Sequence, residues 1–113
     1  MPNGKVTRIS LVKLRPMGRE EVLEHWLGSH ADVVRALPQV RDYVVALAPE
    51  DRAGDQCDAV ATLRFDSEAD MRAALEAPET ARELVRTREP FISAVDVFLV
   101  EEHVIVRDGK AVA

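Results

Sequence analysis

The chain is expected to fold as one α+β domain in the order β-α-β-β-α-β, with helices on one face of a four-stranded antiparallel sheet. Three features carry that expectation. Apolar residues recur at helical spacing from Val22 to Leu37, β-branched runs open and close the chain, and Pro- or Gly-marked turns separate the segments. At 113 residues the chain is long enough for one core and too short for two.

Lys5 to Leu14 (KVTRISLVKL) reads as the first strand, rich in Val, Ile and Leu, and it stops at the turn Arg15-Pro16-Met17-Gly18. Glu20 and Glu21 then open a helix, where negative charge suits the N-terminal dipole. At about 100° per residue, Val22, Val33, Trp26, Leu37, His30, Leu23, Val34 and Leu27 fall within an arc of roughly 140°. Glu20, Glu21, Glu24, Asp32 and Arg35 lie outside it. Gly28 weakens the helix interior by about 1 kcal/mol relative to Ala and leaves room for another element to pack closely.

Pro38 marks the helix end, and Val40 to Ala48 (VRDYVVALA) is the second strand. Pro49 to Gln56 is a charged, exposed connection. In the third strand, Asp58 to Phe65, Ala59, Ala61, Leu63 and Phe65 share one face, and Val60, Thr62 and Arg64 the other. Ser67 is placed to cap a second helix with ridge residues Met71, Ala74 and Leu75. Pro78 interrupts it, and Glu79 to Arg88 continues with Ala81, Leu84 and Val85 inward. Ala94 to Val106 closes the sheet, giving an ordered core of about 5–106 and a loose tail from Arg107.

This order is the ferredoxin-like, split βαβ pattern, whose sheet has a second face. The closing strand offers Val95, Val97 and Leu99 on one side and Phe98 and Val100 on the other. Nothing else in the chain is left to cover that second face, so the expected cover is another copy, giving a homodimer through the open sheet face.

The net charge of -5, without a basic run interleaved with aromatics, argues against nucleic acid and anionic membranes as partners. No apolar run reaches membrane-spanning length, and the first residues lack the apolar core of a signal peptide. The single Cys57 excludes an intrachain disulfide, so a cytoplasmic location is expected. No phosphate loop, Gly-x-Ser-x-Gly or reactive-cysteine context supports nucleophilic catalysis. No metal site is expected either. His25 and His30 sit about 140° apart on the helix, and Glu101 with His103 reads as a paired surface.

His30 lies near the centre of the apolar stripe, one turn after Trp26. An unpaired buried imidazole costs on the order of 1–3 kcal/mol. Two readings stay open: a core histidine satisfied by a backbone carbonyl, or an acid/base in a cavity. Tyr43 is either a half-buried strand tyrosine or a hydrogen-bond donor to a substrate carbonyl or enolate. Trp26 is core, or a wall that stacks on a flat substrate. Arg64 is solvated, salt-bridged, or a holder of a carboxylate or phenolate.

The run His25-Trp26-Leu27-Gly28-Ser29-His30, followed by Leu37-Pro38-Gln39-Val40 and Tyr43-Val44, resembles the signature of the EthD-domain family of dimeric α+β barrels. Arg64-Phe65-Asp66-Ser67 and Glu101-Glu102-His103 resemble further family segments, so the likeness runs from the first strand to about Val104. The resemblance implies a barrel-like dimer with a small pocket between helices and sheet in each subunit. It also implies chemistry without metal, flavin or haem, as in a methylmuconolactone isomerase and small enzymes of aromatic polyketides. His30 and Tyr43 match that isomerase's pocket histidine and tyrosine. Leu63 stands where it has a cysteine, and Cys57, six residues earlier, does not match.

The expected function is therefore cofactor-independent proton transfer on a small apolar carbonyl compound such as a polyketide, aromatic or lactone. Isomerisation, cyclisation, dehydration and decarboxylation all fit. His30 and Tyr43 would be catalytic, with Trp26, Leu63 and Arg64 against the substrate. The alternatives are a cofactor-free monooxygenase of the same superfamily and a non-catalytic dimeric ligand-binding protein.

Overall fold

A computed structural model describes residues 5–52 and 57–113. The exposed connection expected at Pro49 to Gln56 lies partly outside the described residues; its described part includes a single 3₁₀ turn, Glu50–Arg52. The elements are β1 (Val6–Leu14), α1 (Arg19–His25), α2 (Ala31–Arg35), β2 (Val40–Leu47), β3 (Ala59–Phe65), α3 (Glu68–Leu75), α4 (Pro78–Arg88), β4 (Ile92–Val100), β5 (Val106–Arg107) and β6 (Lys110–Ala111). The first four strands form an antiparallel sheet in the order β2-β3-β1-β4, as the ferredoxin-like reading requires. No helix among the described residues is long and apolar enough to cross a membrane.

Register decides which side chains meet the helices. Ser10 pairs with Ala61 and Val97, and Tyr43 pairs with Leu63. With strict alternation along each strand, Arg8, Ser10, Val12, Tyr43, Val45, Ala61, Leu63 and Val95 share the helix-facing side. One cluster there gathers Val12, Val22, Trp26, Ala59, Ala61, Phe91 and Ile92; a second gathers Val34, Leu63, Phe65, Met71 and Ala74. Tyr43 packs against both. Phe91 is completely buried and touches three rings, His25 at 5.9 Å, Trp26 at 5.2 Å and His30 at 5.6 Å between centroids.

The expected single helix is instead broken. Trp26–His30 forms a π turn in which Gly28 leaves helical geometry (φ -92°, ψ -111°), and the chain resumes as α2. The wider turn alters the side-chain phase, so His25 and His30, expected about 140° apart, both contact Phe91. Leu27, expected on the buried stripe, is 53% exposed. A methyl group at Gly28 would meet open space, so close packing is not the role of that glycine.

Ser67 caps α3 as expected, its Oγ accepting from the Asp70 amide at 3.0 Å. Pro78 starts α4 rather than merely interrupting a helix, taking a first-turn position whose amide would have no helical partner. Ala81 and Val85, expected inward, are exposed; Leu84 is half-buried and Thr87 is the fully buried residue. β4 ends at Val100, six residues short of the expected strand. The tail expected to be loose forms the β5-β6 hairpin, whose two-residue turn, Asp108-Gly109, takes the positive φ values (53° and 74°) that this turn needs.

The far side of the sheet leaves Val44 and Phe98 about half exposed. On that side Glu102, beyond β4, reaches across to accept from Thr7 Oγ1 and from both Arg64 Nε and Nη2. Replacing Phe91 by Ala should cost about 3–5 kcal/mol in urea unfolding, because three rings lose their common contact. Val85→Ala, on the exposed side of α4, should change stability by less than about 0.5 kcal/mol.

Candidate functional site

A cavity lies between the helices and the sheet, with about 70 Å³ open to water-sized molecules. One water needs about 10–15 Å³, so this is a true hollow rather than a packing defect. Arg8, Ser10 and Val12 enter it from β1, Tyr43 from β2, and Ala61 and Leu63 from β3. Trp26 and His30 come from the π turn, Val34 from α2, Leu84 and Arg88 from α4, and Ile92 and Val95 from β4. A second hollow of about 360 Å³ shares Trp26, Val34 and Tyr43 with the first. Trp26 Nε1–H donates to Tyr43 Oη at 2.8 Å, so this hydrogen bond joins two residues of the common wall.

The tautomer of His30 follows from counting hydrogens. Thr87 Oγ1 donates its single hydrogen to the Glu83 carbonyl at 2.8 Å, one turn back in α4. The arrangement that uses every hydrogen has Thr87 accept from His30 Nδ1–H, 2.7 Å away. The remaining nitrogen, Nε2, then carries a lone pair. Gln39 Oε1 is the one buried side-chain polar atom without a partner among the described residues, so Nε2, which also has none, is not sealed from the cavity. Burial, and then the charge of Arg88, lower the His30 pKa from 6.5 to about 4. The ring is neutral at pH 7.

Tyr43 is held protonated. Burial raises its pKa, against the opposing pull of the Trp26 hydrogen bond and of Arg8. Its oxygen accepts from the indole, leaving its own hydrogen available to the cavity. Arg8 is half-buried and its pKa is lowered by burial and by Arg88. A neutral imidazole lone pair, a phenolic donor and two guanidinium groups thus line one small space whose other walls are largely apolar.

Of the residues singled out in the sequence, His30, Tyr43, Trp26 and Leu63 line the cavity. Arg64 does not. Neighbouring strand residues point to opposite faces, so with Leu63 inward Arg64 must face the far side, where it is paired with Glu102 at 2.7 Å. That pairing, with the Thr7 hydrogen bond, pulls the Glu102 pKa down to about 2. The guanidinium groups of the cavity belong to Arg8 and Arg88. Both had a sequence signal: Arg8 alternates with Ser10 and Val12, and Arg88 follows the inward Leu84 by four residues. Cys57 is absent from the cavity lining, and His103 makes an exposed contact with Glu101 at 2.7 Å. Among the described residues no three His, Cys, Asp or Glu side chains gather as a metal site would require.

Residues 14–94 match the EthD domain model, and the chain belongs to that family. No curated protein matches it. An EthD family protein from Bacillus halodurans superposes with a TM-score of 0.68 at 19% identity, over 88% of this chain and 99% of that one. A cofactor-independent oxygenase from Streptomyces nogalater gives 0.63 at 17% identity, over 87% and 92%. A hydroxynitrile lyase from Passiflora edulis gives 0.69 at 16%, over 91% and 99%. Two further ferredoxin-like neighbours, from Bacteroides fragilis and Thermobifida fusca, are described as dimeric. At these identities the likeness establishes the fold.

The depressed His30 pKa has a thermodynamic consequence. As pH falls, the unfolded chain protonates His30 from about 6.5 and the folded chain only near 4, so acid favours unfolding across that window. Relative to His30→Gln, the wild-type protein should lose up to about 3 kcal/mol between those limits and nothing above pH 7, measured by urea unfolding at fixed protein concentration.

Proposed function

We propose that the protein is a cofactor-independent enzyme that moves a proton on a small, mostly apolar, carbonyl-bearing substrate. The observation that carries this reading is the His30 ring, fixed through Nδ1 by Thr87 with its Nε2 lone pair open, in the same cavity as the Tyr43 hydroxyl. In the proposed reaction Nε2 takes a proton from the carbon next to the carbonyl, and the C–H pair stays on the substrate as an enolate. Tyr43 donates a hydrogen bond to the enolate oxygen. His30 then returns its proton to the substrate at another carbon, which gives isomerisation; giving it instead to a hydroxyl group that departs as water, as the enolate pair forms the new double bond, would give dehydration. Trp26, Leu63, Val12 and Val34 supply apolar walls that keep bulk water from the enolate.

The exposed Val44 and Phe98 on the far face of the sheet support assembly as a homodimer through that face, in keeping with the dimeric neighbours. The reaction remains within one subunit's cavity in this reading. His30→Gln should lower kcat/KM by at least about 100-fold without altering the dimer measured by sedimentation. The acid limb of the wild-type kcat/KM profile should fall near pH 4 rather than 6.5. Full activity in the glutamine variant would reject the mechanism. Oxygen uptake matched to product would replace it with a cofactor-free oxygenation that starts from the same deprotonation.

A further inference from the structure

We infer that Arg8 and Arg88 form an anion-binding subsite beside His30, and that the substrate of the proposed reaction carries a carboxylate. The inference rests on that reading for the word substrate; the subsite itself stands on the two guanidinium groups. Every other cavity-lining residue is neutral at pH 7, and no Asp or Glu is among them. Neither arginine has a carboxylate within ion-pair distance among the described residues; Arg8 has only Ser10 Oγ, at 3.4 Å.

Carboxylates are plentiful outside the cavity, although Arg19, Arg82 and Arg107 also make no ion pair among the described residues. The chain holds 20 acidic residues against 15 basic ones, and Arg15, Arg35, Arg41, Arg64, Arg72 and Arg86 each have a carboxylate partner. Arg8 and Arg88 repel each other instead. Two like charges held half-buried with no internal counterion are destabilising, and a bound anion removes that cost. A guanidinium fork matches the two oxygens of a carboxylate, while the adjoining Leu84, Val12 and Val34 fit an apolar body.

The same anion would tune the base. The charged or titratable groups facing His30 from the cavity walls are Arg88 of α4, Arg8 of β1 and Tyr43 of β2; His25 lies against the same Phe91 ring. Arg88 is the charge that opposes protonation of His30. A carboxylate on Arg88 cancels that field, so the substrate's charge strengthens the base that acts on it.

Benzoate and its neutral isostere benzamide test the subsite by NMR titration of the full-length protein, with the His30 ring signals followed against pH. Benzoate should bind at least about tenfold more tightly than benzamide and raise the His30 pKa. Arg88→Gln and Arg8→Gln should each weaken benzoate about tenfold or more and leave benzamide unchanged. Binding of benzoate to wild-type protein should also weaken with added chloride, a check that needs no variant. Equal binding of the two ligands, no benzoate binding at tens of millimolar, or wild-type affinity in folded arginine variants would overturn the inference. His30→Gln separates the two proposals, since it should retain benzoate while losing turnover. Retained turnover in that variant rejects the mechanism and leaves the subsite standing.

Discussion

The hydrogen bond from His30 Nδ1 to Thr87 is the contact on which the site depends. It joins the π turn to α4 and satisfies an imidazole that would otherwise be a costly buried orphan. It also favours a hydrogen on Nδ1, the arrangement that leaves the Thr87 hydroxyl free to donate to the Glu83 carbonyl. One short side-chain contact thereby does two things. It anchors the broken helix over the sheet, and it directs an unprotonated nitrogen toward the cavity. Phe91 supports the arrangement from behind, with Trp26 and the two helix histidines packed on its ring.

Charge is arranged with the same economy. The chain is acidic overall, yet its arginines outside the cavity that form ion pairs find carboxylates on exposed surfaces, where such pairs contribute little. Inside the cavity the acids are missing, so the field of Arg8 and Arg88 acts on the imidazole and the phenol without compensation. The cavity's apolar walls and its positive field are complementary features. The first favours a small hydrophobic body; the second favours a negative head.

Much of this was legible in the sequence because strand alternation and helical spacing are local rules. The order of elements, the inward set Ala59, Ala61, Leu63 and Phe65, the Ser67 cap, and the shared side of Trp26 and His30 all follow from residue spacing. The π turn was not legible: a glycine inside an amphipathic repeat reads as a weakened helix, and nothing local says that one turn will widen. Thr87 carries no apolar signal beside Ala81 and Val85, and only tertiary packing decides which side of α4 meets the π turn. The far-side position of Arg64 is legible from alternation alone, since it cannot share a face with Leu63. The hairpin at Asp108-Gly109 carried a local signal that its polar setting obscured.

The central claim is that the His30 ring is neutral, hydrogenated at Nδ1 and open at Nε2. Nitrogen-15 NMR of the histidine side chains reads this directly, because pyrrole-type and pyridine-type nitrogens resonate far apart. The account predicts a protonated Nδ1 and a bare Nε2 that persist on acidification until about pH 4. A hydrogen on Nε2, or a ring that titrates at an ordinary 6.5, would contradict it.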